Sequence, residues 1–227
     1  MSGLTLFNIL MTVLVYMGAK KLAARIHSPF TTPILTATVA VIAILLLMDV
    51  NYSQYEHAKA WMTYMLGPAT VALAVPMYKN RVLIKENLRN IGAGLVAGSI
   101  STIVSAVLIA KLFHLSDEIQ AAAAVKAITT PVAVDTVRII GGDPSLAAVF
   151  VITAGIFGAA FGPSILTICR ISDPVSRGLA IGTVSHGIGT SEIVNEGSIQ
   201  GGVSSIAMSL AAIFTSIILP WIYPFIS

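Results

Sequence analysis

The chain has 227 residues, of which 13 are Lys or Arg and 10 are Asp or Glu, with 56% hydrophobic residues and a mean hydropathy of +0.89. Charged residues at 10% are too few to cover a surface in water, where about 25% is usual, so lipid has to be the solvent for much of this chain. The basic residues cluster between apolar runs, which fits membrane orientation signals and excludes a nucleic-acid partner. The single cysteine, Cys169, excludes an internal disulfide.

A helix needs about 20 apolar residues to cross the hydrocarbon. The chain divides into such stretches at 4–26, 30–49, 58–78, 90–113, 118–140, 145–169, 175–195 and 202–226. In the first, Lys20, Lys21 and Arg25 follow the apolar run instead of preceding it, so it reads as a retained span and not a secretory signal. Open strands cannot cross lipid, and no stretch alternates as a barrel strand would. The expectation is an all-α integral membrane protein, one transmembrane domain over 1–227, with about eight crossings or seven. Lys20, Lys21 and Arg25, then Lys79, Arg81, Lys85 and Arg89, put the first and third loops in the cytoplasm and the N-terminus outside. Arg170 and Arg177 then fall in an outside loop, against the rule. Either a later segment is re-entrant or those arginines serve another purpose.

The two halves share punctuation. Thr31-Thr32-Pro33 recurs as Thr129-Thr130-Pro131, Gly67-Pro68 as Gly162-Pro163, and Arg89, Gly94 and Ile100 as Arg177, Gly182 and Ile188, in the same order. The Thr-Thr-Pro copies lie three crossings apart and so point in opposite directions. This suggests inverted repeats of roughly 28–113 and 118–200, the plan of secondary transporters with discontinuous helices at the midplane. For Thr31 to Pro33 a simple helix start, with threonine as cap and proline in the first turn, explains the triplet equally well.

Pro131 lies mid-segment and cannot donate to the carbonyl of Ala127, so a break is expected there. Lys126, three and four residues before Thr129 and Thr130, shares a helical face with them. A charge within a span is costly and by default functional; the other reading is that Lys126 snorkels to an interface a turn away. An ammonium, two hydroxyls and a helix N-terminus make a carboxylate site. Asp135 and Arg138 can pair at i and i+3, either as an ion pair neutralised within the bundle or as an ion-coupling group. A second break is expected at Gly187 in Gly182-Thr-Val-Ser-His-Gly-Ile-Gly-Thr190, where Ser185, His186, Gly189 and Thr190 offer polar groups or close backbone approach. Thr31, Thr32 and Pro33 complete the candidate set. Glu192 and Glu196 read as interfacial. There is no metal-ligand cluster, no nucleotide loop and no nucleophile elbow, so neither an enzyme nor a cofactor is expected.

These motifs resemble the LrgB/CidB family. The likeness runs from Lys126-Ala-Ile-Thr-Thr-Pro131 through Gly141-Gly142, Pro144-Ser-Leu-Ala-Ala-Val-Phe150, Gly162-Pro163, Arg177-Gly-Leu-Ala-Ile-Gly-Thr183, Ser185-His186 and Ile188-Gly-Thr190 to Glu196-Gly197 and Val203-Ser-Ser-Ile-Ala-Met-Ser-Leu210. It implies one of two functions in the bacterial inner membrane. One is a holin- or antiholin-like regulator of murein hydrolase activity and autolysis. The other is a carrier of small 2-hydroxy- or 2-oxo-carboxylates of the glycolate, glycerate and pyruvate class, as in plastid relatives. The resemblance also implies a homodimer and a role for an LrgA-like membrane partner. The residues themselves favour the carrier.

Overall fold

The computed structural model describes residues 3–26 and 28–227, and its contacts divide the chain into two compact units, one up to Ala72 and one Leu73–Ser227. In the first, α1 (Gly3–Arg25) is followed by a single 3₁₀ turn (Pro29–Thr31), α2 (Pro33–Leu47), α3 (Tyr52–Tyr64) and α4 (Leu66–Ala72). Pro33 occupies the first turn of α2 behind Thr32. It therefore starts a helix, and the break expected there does not occur, because proline's missing N–H is harmless in a first turn. Helix α1 packs against both α2 and α3, and Thr12 Oγ1 meets Tyr55 Oη at 3.0 Å.

The second unit contains α5 (Ala74–Lys79), α6 (Arg81–Glu86), α7 (Leu88–Leu112), α8 (Asp117–Ala124), α9 (Thr130–Ile139), α10 (Pro144–Ile168), α11 (Pro174–Ile193) and α12 (Ser198–Ile226). Local chemistry sets the boundaries. Asp143 caps α10 by accepting from Leu146 N at 2.7 Å, and Asp173 caps α11 by accepting from Ser176 N at 2.8 Å, each followed by proline. Helices α7, α9 and α10 end in left-handed residues, His114, Gly141 and Arg170, with the following N–H returning to the last turn.

By length and apolar composition, five helical stretches among the described residues suffice to cross a bilayer: Gly3–Arg25, Tyr52–Lys79, Leu88–Leu112, Pro144–Ile168 and Ser198–Ile226. The shorter Pro33–Leu47 is also apolar. The segments 118–140 and 175–195, expected as crossings, are instead each folded as a helical hairpin.

Hairpin 1 is α8 and α9. A methyl group on Gly142 would lie 2.6 Å from Ala121 Cβ, at the outset of the hairpin, and 2.6 Å from Val137 Cγ2, near its finish. Both arms therefore leave from one face. Eight and ten helical residues reach roughly 12 and 15 Å at 1.5 Å per residue, about half the hydrocarbon thickness.

Hairpin 2 is α11. Its helical path is interrupted at His186, whose φ of 42° and ψ of −139° are far from helical. A methyl on Gly189 would lie 2.9 Å from Ile181 Cγ2, although residues eight apart in a straight helix are about 12 Å apart. Gly182 and Thr190 both meet Ser204 of α12, and Ile181, Ile193 and Leu166 form one cluster. The chain enters, turns at His186 and returns.

Helix α10 runs from where hairpin 1 ends to where hairpin 2 begins, so the hairpins enter from opposite faces. Helix α12 runs the other way. At its start, Asn80 Nδ2 donates to Ser198 O (2.7 Å); at its finish, Tyr223 Oη donates to Asp117 O (3.4 Å) and Lys111 Nζ to Ile226 O (3.3 Å). Residues 117–168 and 174–226 are thus each a hairpin followed by a span, in antiparallel sense. The core between them joins Ile103 and Val107 of α7, Val125 and Ile128 at the tip of hairpin 1, Val151 of α10, and Leu219 of α12, all almost fully buried.

Candidate functional site

The two hairpin tips converge on the middle of α7 and α10. At the first tip, α8 stops at Ala124 and α9 begins at Thr130 with Thr129 as its cap. The break therefore precedes Pro131, which sits in the first turn of α9 where its ring clashes with nothing. Lys126 is half-buried and donates from Nζ to Thr102 O of α7 at 3.2 Å. The Thr129 and Thr130 hydroxyls, also half-buried, make no hydrogen bond among the described residues. Lys126, Thr129 and Thr130 thus lie in the same turn between α8 and α9, with the Lys126 ammonium directed to α7.

At the second tip the turning residue is His186, not Gly187. The His186 Nε2 donates to Val151 O of α10 at 3.0 Å, because a carbonyl only accepts. That bond, with the ring 4% exposed, holds a non-glycine residue in a backbone conformation costing on the order of 1–3 kcal/mol. Ser185 Oγ is buried and unpartnered among the described residues, and a methyl on Gly158 of α10 would collide with it. Thr190 Oγ1 donates to His186 O at 2.7 Å and meets Ser204 Oγ at 2.8 Å. Gly189 is needed because any side chain there would strike the other arm.

Two intermediaries bridge the tips. Val151 accepts from His186 and belongs to the cluster holding Val125 and Ile128. On α7, Thr102 accepts from Lys126 through its carbonyl and donates through Oγ1 to Gly98 O (3.0 Å) and Ser99 O (2.9 Å). A methyl on Gly98 would lie 3.1 Å from Thr183 Cγ2 of hairpin 2. Ser99 Oγ is a second buried, unpartnered hydroxyl. Ser99, Thr102 and Ser204 escaped the sequence reading. The available signal was Ser99 and Thr102 at i and i+3 within an apolar run.

The other expected residues make local contacts. Thr31 Oγ1 donates to Ile26 O and Ser28 O, and Thr32 Oγ1 to Pro29 O, so both hydroxyls serve their own turn. Asp135 and Arg138 pair at 3.3 Å as expected, but with side chains 77% and 62% exposed. Among the described residues the pair is therefore not neutralised inside a bundle, because it lies on an exposed face of α9 with Pro131 and Ile139.

The largest omission is Arg177, whose side chain is 10% exposed. Its Nε and Nη2 hold Glu196 at 2.7 and 2.6 Å, Nη1 donates to Ile171 O (2.9 Å) and Thr167 Oγ1 (3.3 Å), and Nη2 donates to Pro163 O (3.1 Å). All five guanidinium protons are used. The fork ties the end of α10 to both arms of hairpin 2. Glu196, expected as interfacial, is thus also an ion-pair partner. Nearby, Ser176 donates from its hydroxyl and N–H to Asp173, holding that carboxyl below the usual carboxylate range. The signal for Arg177 was its breach of the positive-inside rule.

The LrgB-like family model matches residues 12–225. The chain belongs to the LrgB-like family. This LrgB-like chain is 38% identical to the protein named uncharacterized protein YwbG of Bacillus subtilis, over 96% of this chain and 97% of that one. It is 35% identical to uncharacterized protein YxaC of the same organism, over 95% of each. It is 32% identical to the holin-like protein CidB of Staphylococcus aureus, over 95% of this chain and 94% of that one. No solved structure matches it.

Proposed function

We propose that this LrgB-like protein is a carrier of small 2-hydroxy- or 2-oxo-carboxylates in a bacterial plasma membrane. The observation that carries the reading is the meeting of two re-entrant hairpins from opposite faces, with Lys126 and free threonine hydroxyls at one tip and His186 at the other. Irregular backbone at membrane depth is tolerated only where it is packed in protein or lines a cavity. A cation and helix terminus there suit an anionic solute. The inverted pairing of 117–168 with 174–226 supports alternating access around these tips.

Hairpin 2 also supports an orientation. With 174–193 re-entrant, Arg170 and Arg177 share a face with Lys79, Arg81, Lys85 and Arg89. The positive-inside rule then favours that face as the cytoplasmic one. Homo-oligomerisation and an LrgA-like partner belong to the same proposal.

The second reading is a holin-like regulator of murein hydrolase activity, and the printed name of the Staphylococcus relatives favours it over the carrier. Uptake of radiolabelled glycolate and pyruvate into proteoliposomes of the full chain, with co-loaded carboxyfluorescein, separates the two. A carrier gives saturable uptake competed by unlabelled carboxylate while the dye stays inside. A lesion-forming protein releases the dye and shows no saturation, and that result would overturn the proposal.

A further inference from the structure

A cavity of about 410 Å³ opens beside the Arg177–Glu196 pair, lined by Thr167, Arg170, Ser172, Arg177, Glu196 and Gln200 among others. Its charges do not balance, since two arginines and one glutamate line it. Arg177 is positioned by groups other than Glu196: Pro163 O and Thr167 Oγ1 at the end of α10, and Ile171 O beyond it. Removing the glutamate would leave the guanidinium in place, with its Nε and one Nη2 proton directed at the cavity. Glu196 sits outside both α11 and α12, in the link between them, and its side chain is 28% exposed.

Arg170 supplies an independent observation. It occupies the left-handed position that ends α10, with φ of 58°, where glycine is favoured because it has no Cβ to crowd. An arginine holds that strained position and lines the cavity, and it makes no ion pair among the described residues. The fork of Arg177 matches any carboxylate in two parallel hydrogen bonds. A solute carboxylate could therefore replace Glu196 bond for bond while satisfying the uncompensated charge of Arg170.

We propose that this cavity binds a small carboxylate between Arg170 and Arg177, with Glu196 as the chain's own occupant of the Arg177 fork. The choice of ligand rests on the carrier reading. The site lies apart from the hairpin tips, on the face that carries the basic loop 79–89, and is a docking position ahead of them.

The test is equilibrium binding of radiolabelled pyruvate to the full chain in detergent, for wild type, Glu196→Gln and Arg170→Gln, with thermal midpoints measured alongside. Glu196→Gln binds about tenfold tighter, because a neutral amide competes less well for the fork, and Arg170→Gln about tenfold weaker. A purely structural ion pair predicts a lower midpoint for Glu196→Gln with no gain in affinity, and that outcome overturns the proposal. So does binding by Arg170→Gln equal to wild type, displacement by phosphatidylglycerol but not by unlabelled pyruvate, or no saturable binding at all. Proteoliposome uptake keeps the two readings apart. Saturable uptake with an unchanged KM in Arg170→Gln removes this site and leaves the carrier. Affinity that follows both variants without any uptake supports the site and removes the carrier.

Discussion

The two hairpins reach the same depth by different means. Hairpin 2 reverses at one strained residue, His186, and is enclosed on every side by glycine. Gly94 and Gly98 of α7, Gly155, Gly158 and Gly162 of α10, and its own Gly178 and Gly182 against α12 each leave no room for a methyl group without displacing a neighbour. Hairpin 1 reverses over residues 125–129, and its returning arm leaves Pro131, Asp135, Arg138 and Ile139 exposed. Close backbone approach and the five-bonded Arg177 make hairpin 2 the glycine-packed wall. Hairpin 1 is held instead by the apolar core around Val125 and Ile128, and fewer polar groups are committed around its tip.

The sharpest way to break this contrast is to thicken the glycine-packed wall. In Gly182→Ala the new methyl would lie 2.8 Å from Ser204 Cα and 2.9 Å from Ala207 Cβ. The expected cost is roughly 2–3 kcal/mol, read as a lower thermal midpoint in detergent. Gly187→Ala, whose methyl meets only Met208 Sδ at 4.0 Å, is the control and should change stability little. Equal effects would show that the glycine packing is not what fixes hairpin 2.

On hairpin 1 the expected effect on stability is smaller and that on function larger. Lys126→Ala loses one 3.2 Å hydrogen bond to a backbone carbonyl, worth about 1 kcal/mol, yet should abolish saturable carboxylate uptake. Normal uptake by a folded Lys126→Ala protein would remove the tip of hairpin 1 from the site. The smallest effect belongs to Asp135→Asn. An ion pair this exposed contributes between about 0 and 1 kcal/mol, so both the thermal midpoint and uptake should hold. A larger loss would mean that another chain covers this face in the membrane.

Much of this was legible in the sequence, and the reason differs from place to place. Apolar length located all eight hydrophobic stretches, and proline with threonine marked the starts of α2 and α9 alike. A shared capping signal and a true repeat both leave that mark. Apolar length could not separate a crossing from a hairpin, because two half-length arms present the same run of apolar residues as one full span. Polar residues within such runs singled out Lys126 and His186, which lie at the hairpin tips. Arg177 was visible only as a violation of the charge rule, and its meaning depended on knowing that hairpin 2 returns to the face it left. The turn fell on His186 because a side-chain bond to Val151, a residue 35 positions away, holds a backbone conformation that local propensity assigns to glycine.

The partners of each hairpin also arrive at different times during synthesis. Hairpin 1 emerges after α7, which already offers Thr102 to Lys126 and apolar surface to α8. Hairpin 2 emerges before α12, the helix against which its glycines close. Its tip can bond Val151 of α10 as it emerges, but Thr190 gains Ser204, and Gly178 and Gly182 gain the surface they close on, only with α12. The glycine-packed wall of the finished protein is therefore assembled last, once α12 has entered the membrane beside it.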